Sequence, residues 1–290
     1  MRILVTGATG FIGRALLAVL AERGDEAVAV SRRAREPAVG WDALETEVAR
    51  ADAVVHLAGE PIADARWTPE RLERIRASRV ETTRRIADAI SRATLKPRVF
   101  LSGSAVGIYG MRIDGEVLDE GSPAGDDVLA RIVVEWERAA DAARSAGVRV
   151  VHPRIGIVLG REGGALSKMA APFRWFVGGP IGSGAQWVSW IHVRDVVRAL
   201  IFAMDGDALE GPVNVVAPEP VAMGDLARAL GHALHRPSFF RVPPFALRLA
   251  LGEGLAKVLL TGQRAAPHKL LGAGFKFDFP RLEQALADLR

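Results

Sequence analysis

Three glycines near the start of the chain have the spacing of a site that binds a dinucleotide diphosphate. The short apolar run Ile3 to Val5 is followed by Gly7-x-x-Gly10-x-x-Gly13 and then by an apolar segment of helix-forming residues. Backbone N–H groups at a helix N-terminus bind phosphate because the helix dipole favours negative charge there. A Cβ at Gly7 or Gly10 would hold the phosphates off, and one at Gly13 would keep the helix from the sheet.

A glycine triplet alone is weak evidence, since a structural turn in an ordinary α/β protein has the same pattern. Its context favours nucleotide binding. The triplet follows the first predicted strand, opens a helix, and precedes a second predicted strand over 26–30, at the distance a βαβ unit needs. In this unit the residues expected to contact the cofactor are Gly7, Thr9, Gly10, Phe11, Ile12 and Gly13.

The end of the second predicted strand indicates which dinucleotide binds. NAD-binding proteins usually place Asp or Glu on the ribose 2′-hydroxyl about 20 residues past the glycines. Here Ser31 and Arg32 begin a run with two more arginines, and no carboxylate appears before Glu36. Guanidinium groups bind a 2′-phosphate through charge-assisted hydrogen bonds, so Ser31 and Arg32 predict NADP(H). For Arg33 and Arg35, ordinary surface charge is an equal alternative.

Strands alternate with helices along most of the chain, which predicts an α/β fold with a parallel sheet. Further strands are predicted over 53–57, 98–101, 148–152 and 213–216, and the main helices over 69–93, 127–145, 193–204, 221–234 and 244–260. We expect a Rossmann-type doubly wound sheet with a smaller C-terminal lobe on the substrate side. The predicted nucleotide-binding domain spans 1–160 and is completed by 191–216; the smaller lobe comprises 161–190 and 217–290.

Residues just past the carboxyl ends of parallel strands line the ligand crevice of such a sheet. Glu60 follows the third predicted strand into that crevice, although a solvated loop carboxylate is an equal alternative for it. The remaining predicted cofactor contacts follow the third, fourth and fifth strands or lie on the long helix: Leu57, Ala58, Gly59, Ser78, Ser102, Gly103, Pro153, Arg154 and Ile155.

Composition excludes several other classes of protein. The net charge is +4, but only five of 38 basic residues are Lys and acidic residues are interspersed, so we expect no nucleic-acid partner. With no Cys and six scattered His, neither thiolate chemistry nor a metal site is predicted. No apolar run approaches the ~18 residues of a membrane span, and no leader is recognised, which predicts a cytoplasmic protein without a membrane partner. The sequence does not determine the oligomeric state, and a homodimer is compatible with it.

Motifs along essentially the whole chain resemble the extended short-chain dehydrogenases/reductases, and among them an atypical epimerase-like family with a C-terminal segment of unknown function. The resemblance implies a Rossmann-type domain, NADP(H) in the crevice and a substrate-side lobe, but no particular substrate. Its main motifs are Val5-Thr-Gly-Ala-Thr-Gly-Phe-Ile-Gly13, Leu57-Ala-Gly-Glu-Pro-Ile62, Ser102-Gly-Ser-Ala-Val-Gly-Ile-Tyr-Gly110, Arg154-Ile-Gly-Ile-Val-Leu-Gly160 and Trp190-Ile-His-Val-Arg-Asp195.

The proton-transfer residues usual in extended members are missing from this chain. Those members use a Tyr and a Lys four residues later, with a Ser or Thr about 25 residues upstream. Ser104 fits the upstream position, but Leu129 and Val133 stand where the Tyr and Lys would be. Tyr109 is the only tyrosine, and Ile113 follows it by four residues. A Tyr–Lys dyad of this spacing therefore cannot exist here.

Three residues in the predicted crevice are candidates for the missing acid or base: Ser104, Tyr109 and Glu60. An unassisted tyrosine has a pKa of ~10, so Tyr109 would serve better as a hydrogen-bond donor than as a base. A packed aromatic with a satisfied hydroxyl is the alternative for it.

The sequence thus predicts an NADP(H)-binding oxidoreductase or epimerase that acts on a small carbonyl or nucleotide-linked substrate. The missing dyad favours an alternative hypothesis, in which the protein binds NADP(H) as a sensor or scaffold without turnover. The Gly- and Trp-rich segment after residue 160 favours the enzyme, because a sensor has little use for a shaped pocket.

Replacing Arg32 by alanine tests the predicted choice of cofactor. We expect Arg32→Ala to weaken NADPH roughly 10- to 100-fold, because a charge-assisted contact to the 2′-phosphate is lost. NADH affinity should hardly change, since NADH has no phosphate there. Calorimetric titration of both nucleotides measures the effect, and an equal loss for both would contradict the assignment.

Overall fold

A computed structural model describes residues 1–31 and 38–289 of the chain. The strands are β1 Arg2–Thr6, β2 Glu26–Val30, β3 Ala53–His56, β4 Val99–Ser102, β5 Ser104–Ala105, β6 Val117–Leu118, β7 Arg149–Ile155, β8 Ile157–Gly160, β9 Trp187–Val188, β10 Trp190–His192, β11 Gly211–Val215, β12 Val221–Ala222 and β13 Arg264–Ala265. The α-helices are α1 Phe11–Glu22, α2 Leu44–Val48, α3 Pro69–Arg92, α4 Val128–Asp141, α5 Gly164–Arg174, α6 Val193–Asp205, α7 Met223–Leu234, α8 Pro244–Leu251, α9 Glu253–Leu260, α10 His268–Gly272 and α11 Leu282–Asp288.

A parallel sheet in the order β11-β7-β4-β3-β1-β2 forms the centre of the molecule, and β5 adds to it by pairing with β7. The chain builds outward from β1 to β2, then returns to place β3 on the other side of β1. The order of strands therefore reverses between β1 and β3. In open α/β sheets this reversal leaves a crevice at the carboxyl ends of the two strands. The predicted Rossmann-type fold is confirmed.

Helices cover both faces of this sheet, which explains why most residues of its strands are buried and apolar. On one face α1 and α6 pack through buried residues that include Leu16, Leu20 and Leu200. On the other face α3 and α4 pack through Ile86 and Ala140, among others. Thr68 caps the first turn of α3 by accepting from the Arg71 N–H, so the long helix begins where Pro69 predicts.

The C-terminal part of the chain forms a second apolar core around Trp190, which is fully buried. Phe173 of α5, Leu226 of α7 and Leu286 of α11 belong to the same cluster. The buried carboxylate of Asp195 ties this region to α6 by accepting from two backbone N–H groups, those of residues 278 and 279. The division of the chain into 1–160 with 191–216 and the remaining segments stays a prediction.

The apolar segment that begins at Pro244 differs from the prediction of one helix. It forms two helices, α8 and α9, separated at Gly252. Gly252 has a φ of +83°, a conformation that ends a helix and that glycine adopts at little cost. Within the described ranges, no helix is both long and apolar enough to cross a membrane.

The contact between α1 and the turn before it is open to a direct test. A Cβ at Gly13 would lie 2.2 Å from the Gly7 carbonyl oxygen, so Gly13→Ala should lower the free energy of unfolding by about 1–3 kcal/mol. Gly272→Ala is the control, because Gly272 is also helical and has open space around it. Urea unfolding measures both variants, and equal stability of the two would contradict the close packing.

Candidate functional site

A cleft of about 280 Å³ lies at the carboxyl ends of β1 and β3, where the order of strands reverses. One end reaches β2 and the segment after it, and the other reaches α3. The residues that line the cleft are Gly7, Ala8, Thr9, Gly10, Ala29, Val30, Ser31, Ala38, Trp41, Leu57, Ala58, Gly59, Glu60, Ser78 and Thr82.

The turn from β1 into α1 is shaped by its glycines. Gly7 has a φ of +72°, and a Cβ there would lie 2.5 Å from the backbone carbon of Leu57. The Gly10 N–H donates to the Gly7 oxygen over 2.9 Å, and Gly10 precedes the first residue of α1. A Cβ at Gly10 would meet only that oxygen within 4 Å, so this side of the turn is open. The first N–H groups of α1 thus adjoin the cleft and suit a phosphate.

The side chains of Phe11 and Ile12 pack against other parts of the protein and do not face the cleft. The Phe11 ring packs on the end of β8, where a Cβ at Gly160 would lie 2.3 Å from the ring. Ile12 packs against the core under the sheet. Neither residue lines the cleft, whereas Thr9 does. Phe11 and Ile12 can therefore contribute to a phosphate site through their backbone N–H groups only.

The far end of the cleft contains Ser31, and its contact with the cofactor stays a prediction. Arg32 lies outside the described residues, so its role stays a prediction. Trp41 also lines this end and was not foreseen, because it lies on a short 3-10 turn, Trp41–Ala43, without periodicity. Arg85 of α3 holds it, with the guanidinium 5.4 Å from the indole centroid and a 2.8 Å hydrogen bond to the Trp41 oxygen.

The loop after β3 is held against α3 by side-chain hydrogen bonds. The Ser78 hydroxyl accepts from the Glu60 N–H over 3.0 Å and donates to the Ile75 oxygen over 2.9 Å. Glu60 is half-buried on the cleft wall, and its carboxylate forms an ion pair with Arg71. Arg71 also donates to the Pro61 oxygen over 2.6 Å. The carboxylate of Glu60 is therefore fixed in orientation while it remains at the cleft.

Beneath the cleft, a buried histidine links β1, β3 and α3. His56 Nδ1 lies 2.5 Å from the Thr6 hydroxyl, and Nε2 lies 3.3 Å from the Thr82 hydroxyl. Thr82 donates its own proton to the Ser78 oxygen over 2.6 Å, so it accepts from His56 Nε2–H while Thr6 donates to Nδ1. Burial lowers the pKa of His56 to about 3, and the charge of Arg79 adds to this effect. The imidazole is thus neutral at physiological pH.

Ser104 lies below the cleft, in a buried polar network. Its hydroxyl donates to Glu137 over 2.6 Å, and Arg154 binds both oxygens of the same carboxylate over 2.9 Å each. Burial alone would lower the pKa of Arg154, but the hydrogen bonds and ion pair with Glu137 raise it. Ser104 is not among the residues that line the cleft.

Tyr109 belongs to the same buried network. Its hydroxyl donates to Asn214 over 2.6 Å and accepts from Arg154 over 3.1 Å. Burial raises the pKa of Tyr109, and the charge of Arg154 offsets only part of that rise. This arrangement suits a fixed structural hydroxyl more than a base. The acid or base role of Ser104 and Tyr109 stays a prediction, and the geometry places neither of them on the cleft.

Other predicted cofactor residues also lie outside the lining of the cleft. Ser102 is fully buried and its hydroxyl has no hydrogen-bond partner within the described residues. Gly103 donates its N–H to the His56 oxygen over 2.8 Å. Pro153, Arg154 and Ile155 form the end of β7, where Arg154 is occupied by Glu137 and Tyr109. Their contact with a cofactor stays a prediction.

The surroundings of the histidines bear on two other kinds of chemistry, metal binding and nucleophilic catalysis. In the part of the chain that the structure describes, no group of three or more His, Asp or Glu side chains is placed to hold a metal ion. His192 caps α6 by accepting from the Arg194 N–H, while the Ser189 hydroxyl donates to the Gln263 oxygen over 2.7 Å. These residues do not form a nucleophile and its base.

Comparison with known proteins assigns the family of this chain. A profile of the NAD dependent epimerase/dehydratase family matches residues 3–216. A profile of a domain of unknown function (DUF1731) matches residues 242–289. The chain therefore belongs to the NAD dependent epimerase/dehydratase family, and the resemblance seen in its motifs is confirmed.

Particular relatives extend over nearly the whole chain. It is similar to the chloroplastic epimerase family protein SDR39U1 homolog of Arabidopsis thaliana, with 43% identity over 99% of this chain and 86% of that protein. The epimerase family protein YfhF of Bacillus subtilis is 37% identical over 100% of this chain and 98% of its own. The crystal structure of human epimerase family protein SDR39U1 with NADPH superposes with a TM-score of 0.93 at 38% identity, covering 100% of this chain and 99% of that chain.

The neutral buried histidine makes a prediction for stability against pH. Because the pKa of His56 is depressed to about 3, the unfolded chain binds a proton below its ordinary value of 6.5 while the folded chain does not. Stability from this group is complete above pH 6.5 and falls as the pH drops from 6.5 towards 3, by about 1.4 kcal/mol per pH unit.

His56→Gln should remove this contribution to the pH dependence of the free energy of unfolding. Urea unfolding at several pH values measures it. His232→Gln is the control, because His232 lies exposed on α7. A slope that stays as steep in His56→Gln as in the wild type would show that His56 is not buried in the neutral form.

Proposed function

We propose that this protein is an NADP(H)-dependent oxidoreductase or epimerase that acts on a small carbonyl or nucleotide-linked substrate. The observation that supports it most is the open glycine turn at the strand reversal, where Gly7 has a positive φ and Gly10 leaves the helix N-terminus uncovered. Support also comes from the human relative, whose structure was solved with NADPH at 38% identity over the whole chain.

The residues present fit such a cofactor. The N–H groups at the start of α1 would hold the diphosphate, and Ser31 with Arg32 would hold the 2′-phosphate. The backbone of 57–59 would pass beside the nucleoside. When bound, the nicotinamide supplies or accepts a hydride. The protein then has to supply the substrate site and the group that moves a proton.

Glu60 is the candidate acid or base that the geometry favours. It is the predicted proton-transfer residue that lies on the cleft wall, whereas Ser104 and Tyr109 are buried and bonded to other groups. Its ion pair with Arg71 orients the carboxylate, and the hydrogen bond from its N–H to Ser78 fixes its backbone. A carboxyl group so placed can exchange a proton with a substrate oxygen.

A second candidate function is a sensor or scaffold that binds NADP(H) without turnover. The occupation of Ser104 by Glu137 and of Tyr109 by Asn214 favours it, because both hydroxyls are withdrawn from the cleft. In either function the ligands are small molecules. A cytoplasmic location, a homodimeric assembly and the absence of nucleic-acid and membrane partners remain part of the proposal.

Calorimetric titration of the nucleotide-free protein with NADPH and NADH tests cofactor binding. We expect micromolar or tighter binding of NADPH and binding of NADH that is roughly 10- to 100-fold weaker, as a single charge-assisted contact implies. Failure of both nucleotides to bind would mean that the glycine turn is structural, and the proposed function would be wrong.

Replacing Glu60 by glutamine separates the enzyme from the sensor. With a panel of aldehydes, ketones and nucleotide-linked sugars, reduction by the wild type is followed by the absorbance of NADPH. Epimerisation consumes no net NADPH, so it is followed by chromatography of the products. Loss of the proton-transfer group should lower the turnover number about 10²- to 10³-fold and leave NADPH affinity within about threefold. Glu22→Gln, an exposed carboxylate on α1, is the control. Binding of NADPH without turnover of any member of the panel would favour the sensor.

A further inference from the structure

Arg79 is a cation behind the cleft wall that has no carboxylate partner among the described residues. Its Nη1 donates to two backbone carbonyl oxygens, that of Glu60 over 3.0 Å and that of Ile75 over 3.2 Å. The same nitrogen lies 3.5 Å from the Ser78 hydroxyl. Its Nε and Nη2 have no acceptor within the ranges that the structure describes. The Glu60 carboxylate is bonded to Arg71 instead. Two donors of this guanidinium are therefore free for a ligand.

The guanidinium lies between the segment that follows β3 and the ring of Trp136. It rests on the backbone after β3, where a Cβ at Gly59 would lie 3.1 Å from Cζ and 3.2 Å from Nη2. On its other side, Cζ lies 5.4 Å from the centroid of the Trp136 ring. Trp136 in turn contacts Gly103, the residue after β4. This is the edge of the sheet at which ligands of doubly wound folds bind.

The indole of Trp136 offers a second donor without an acceptor. Trp136 is only 7% exposed, and its Nε1 has no hydrogen-bond partner among the described residues. Its Cζ2 would lie 3.3 Å from a Cβ at Gly103. Cη2 would lie 3.4 Å from the same position, so the six-membered ring of the indole faces Gly103. Nε1 is attached to the ring carbon next to Cζ2. Buried donors rarely stay unpaired, because each one costs free energy.

The buried charge of Arg79 favours an anion as the ligand of these donors. Burial lowers the pKa of Arg79 to about 10, although the carboxylate of Glu60 acts against this fall. A guanidinium taken out of water without a bonded carboxylate is unfavourable until an anion reaches it. Arginine binds carboxylates and phosphates through paired N–H groups. The Trp136 ring, with its centroid 5.4 Å from Cζ, adds a cation–π contact on one side of the guanidinium.

We propose that Arg79 and the indole N–H of Trp136 bind an anionic group of the substrate, a carboxylate or a phosphate. The substrate is then a small carbonyl compound that carries such a group. This inference rests on the proposed function, because it requires NADP(H) to fill the neighbouring cleft. The diphosphate of the cofactor is the other source of anionic oxygens, but the N-terminus of α1 already provides its site.

The test is calorimetric titration of the NADP⁺-saturated protein with inorganic phosphate and with oxalate at constant ionic strength. The wild type should bind at least one of these anions in the millimolar range, and Arg79→Gln should weaken it about tenfold or more. Trp136→Phe, which keeps the aromatic face, should weaken it about threefold. Arg74→Gln is the control, because Arg74 is an exposed arginine of the same helix. The NADP⁺ affinity of all variants should stay within about threefold of the wild type.

Two results would overturn the proposal. One is a wild type that binds NADP⁺ but neither anion; the other is an Arg79→Gln variant that loses NADP⁺ affinity while anion affinity is kept. Arg79→Lys retains the charge without the paired geometry and covers the case in which Arg79→Gln does not fold. It should lose at least about threefold in anion affinity, and unchanged affinity would contradict the proposal. Absence of NADP⁺ binding to the wild type would instead contradict the proposed function itself.

Discussion

The close approach of β1 and β3 just past their carboxyl ends is the constraint on which the site depends. Gly7 turns the chain with a φ of +72°, and its Cα comes so near to Leu57 that any Cβ would overlap the backbone. Gly13 lets α1 pack on the same turn. The helix N-terminus is thereby aimed at the gap that the strand reversal leaves open. The remaining elements support this arrangement, with His56 and Ser78 bonding β1, β3 and α3 below it.

Ser104, which matches the upstream Ser or Thr of extended short-chain dehydrogenases, belongs to a buried polar network, whereas Leu129 and Val133 stand at the positions of the dyad. Glu137 of α4 binds Arg154 of β7, and these two engage Ser104 and Tyr109. Removal of one partner of a buried ion pair strongly destabilises the folded protein. Neither Glu137 nor Arg154 can therefore be replaced without a loss of stability. Polar groups available to a ligand therefore lie nearer the β3 loop and α3, where Glu60 and Arg79 are found.

The sequence was informative where a residue type is forced by geometry. The glycine turn, the parallel sheet and the long helix beginning at Pro69 follow from local rules on φ, hydrophobic pattern and capping. A packed Tyr109 was one of two alternatives in the sequence, but its hydrogen-bond partner could not be predicted from local rules, because Asn214 lies far away in the chain on β11. Trp41 was missed for a similar reason: its neighbours in space come from α3, and its own segment has no regular pattern.

Hydrogen exchange followed by mass spectrometry, with and without NADPH, tests the central claim most directly. The account predicts that NADPH slows amide exchange in residues 6–13 and 57–60, since these surround the open turn at the strand reversal. Exchange in residues 104–109 should hardly change, because that segment is bonded into the buried network. Binding of NADPH that leaves 6–13 and 57–60 unprotected would contradict the account.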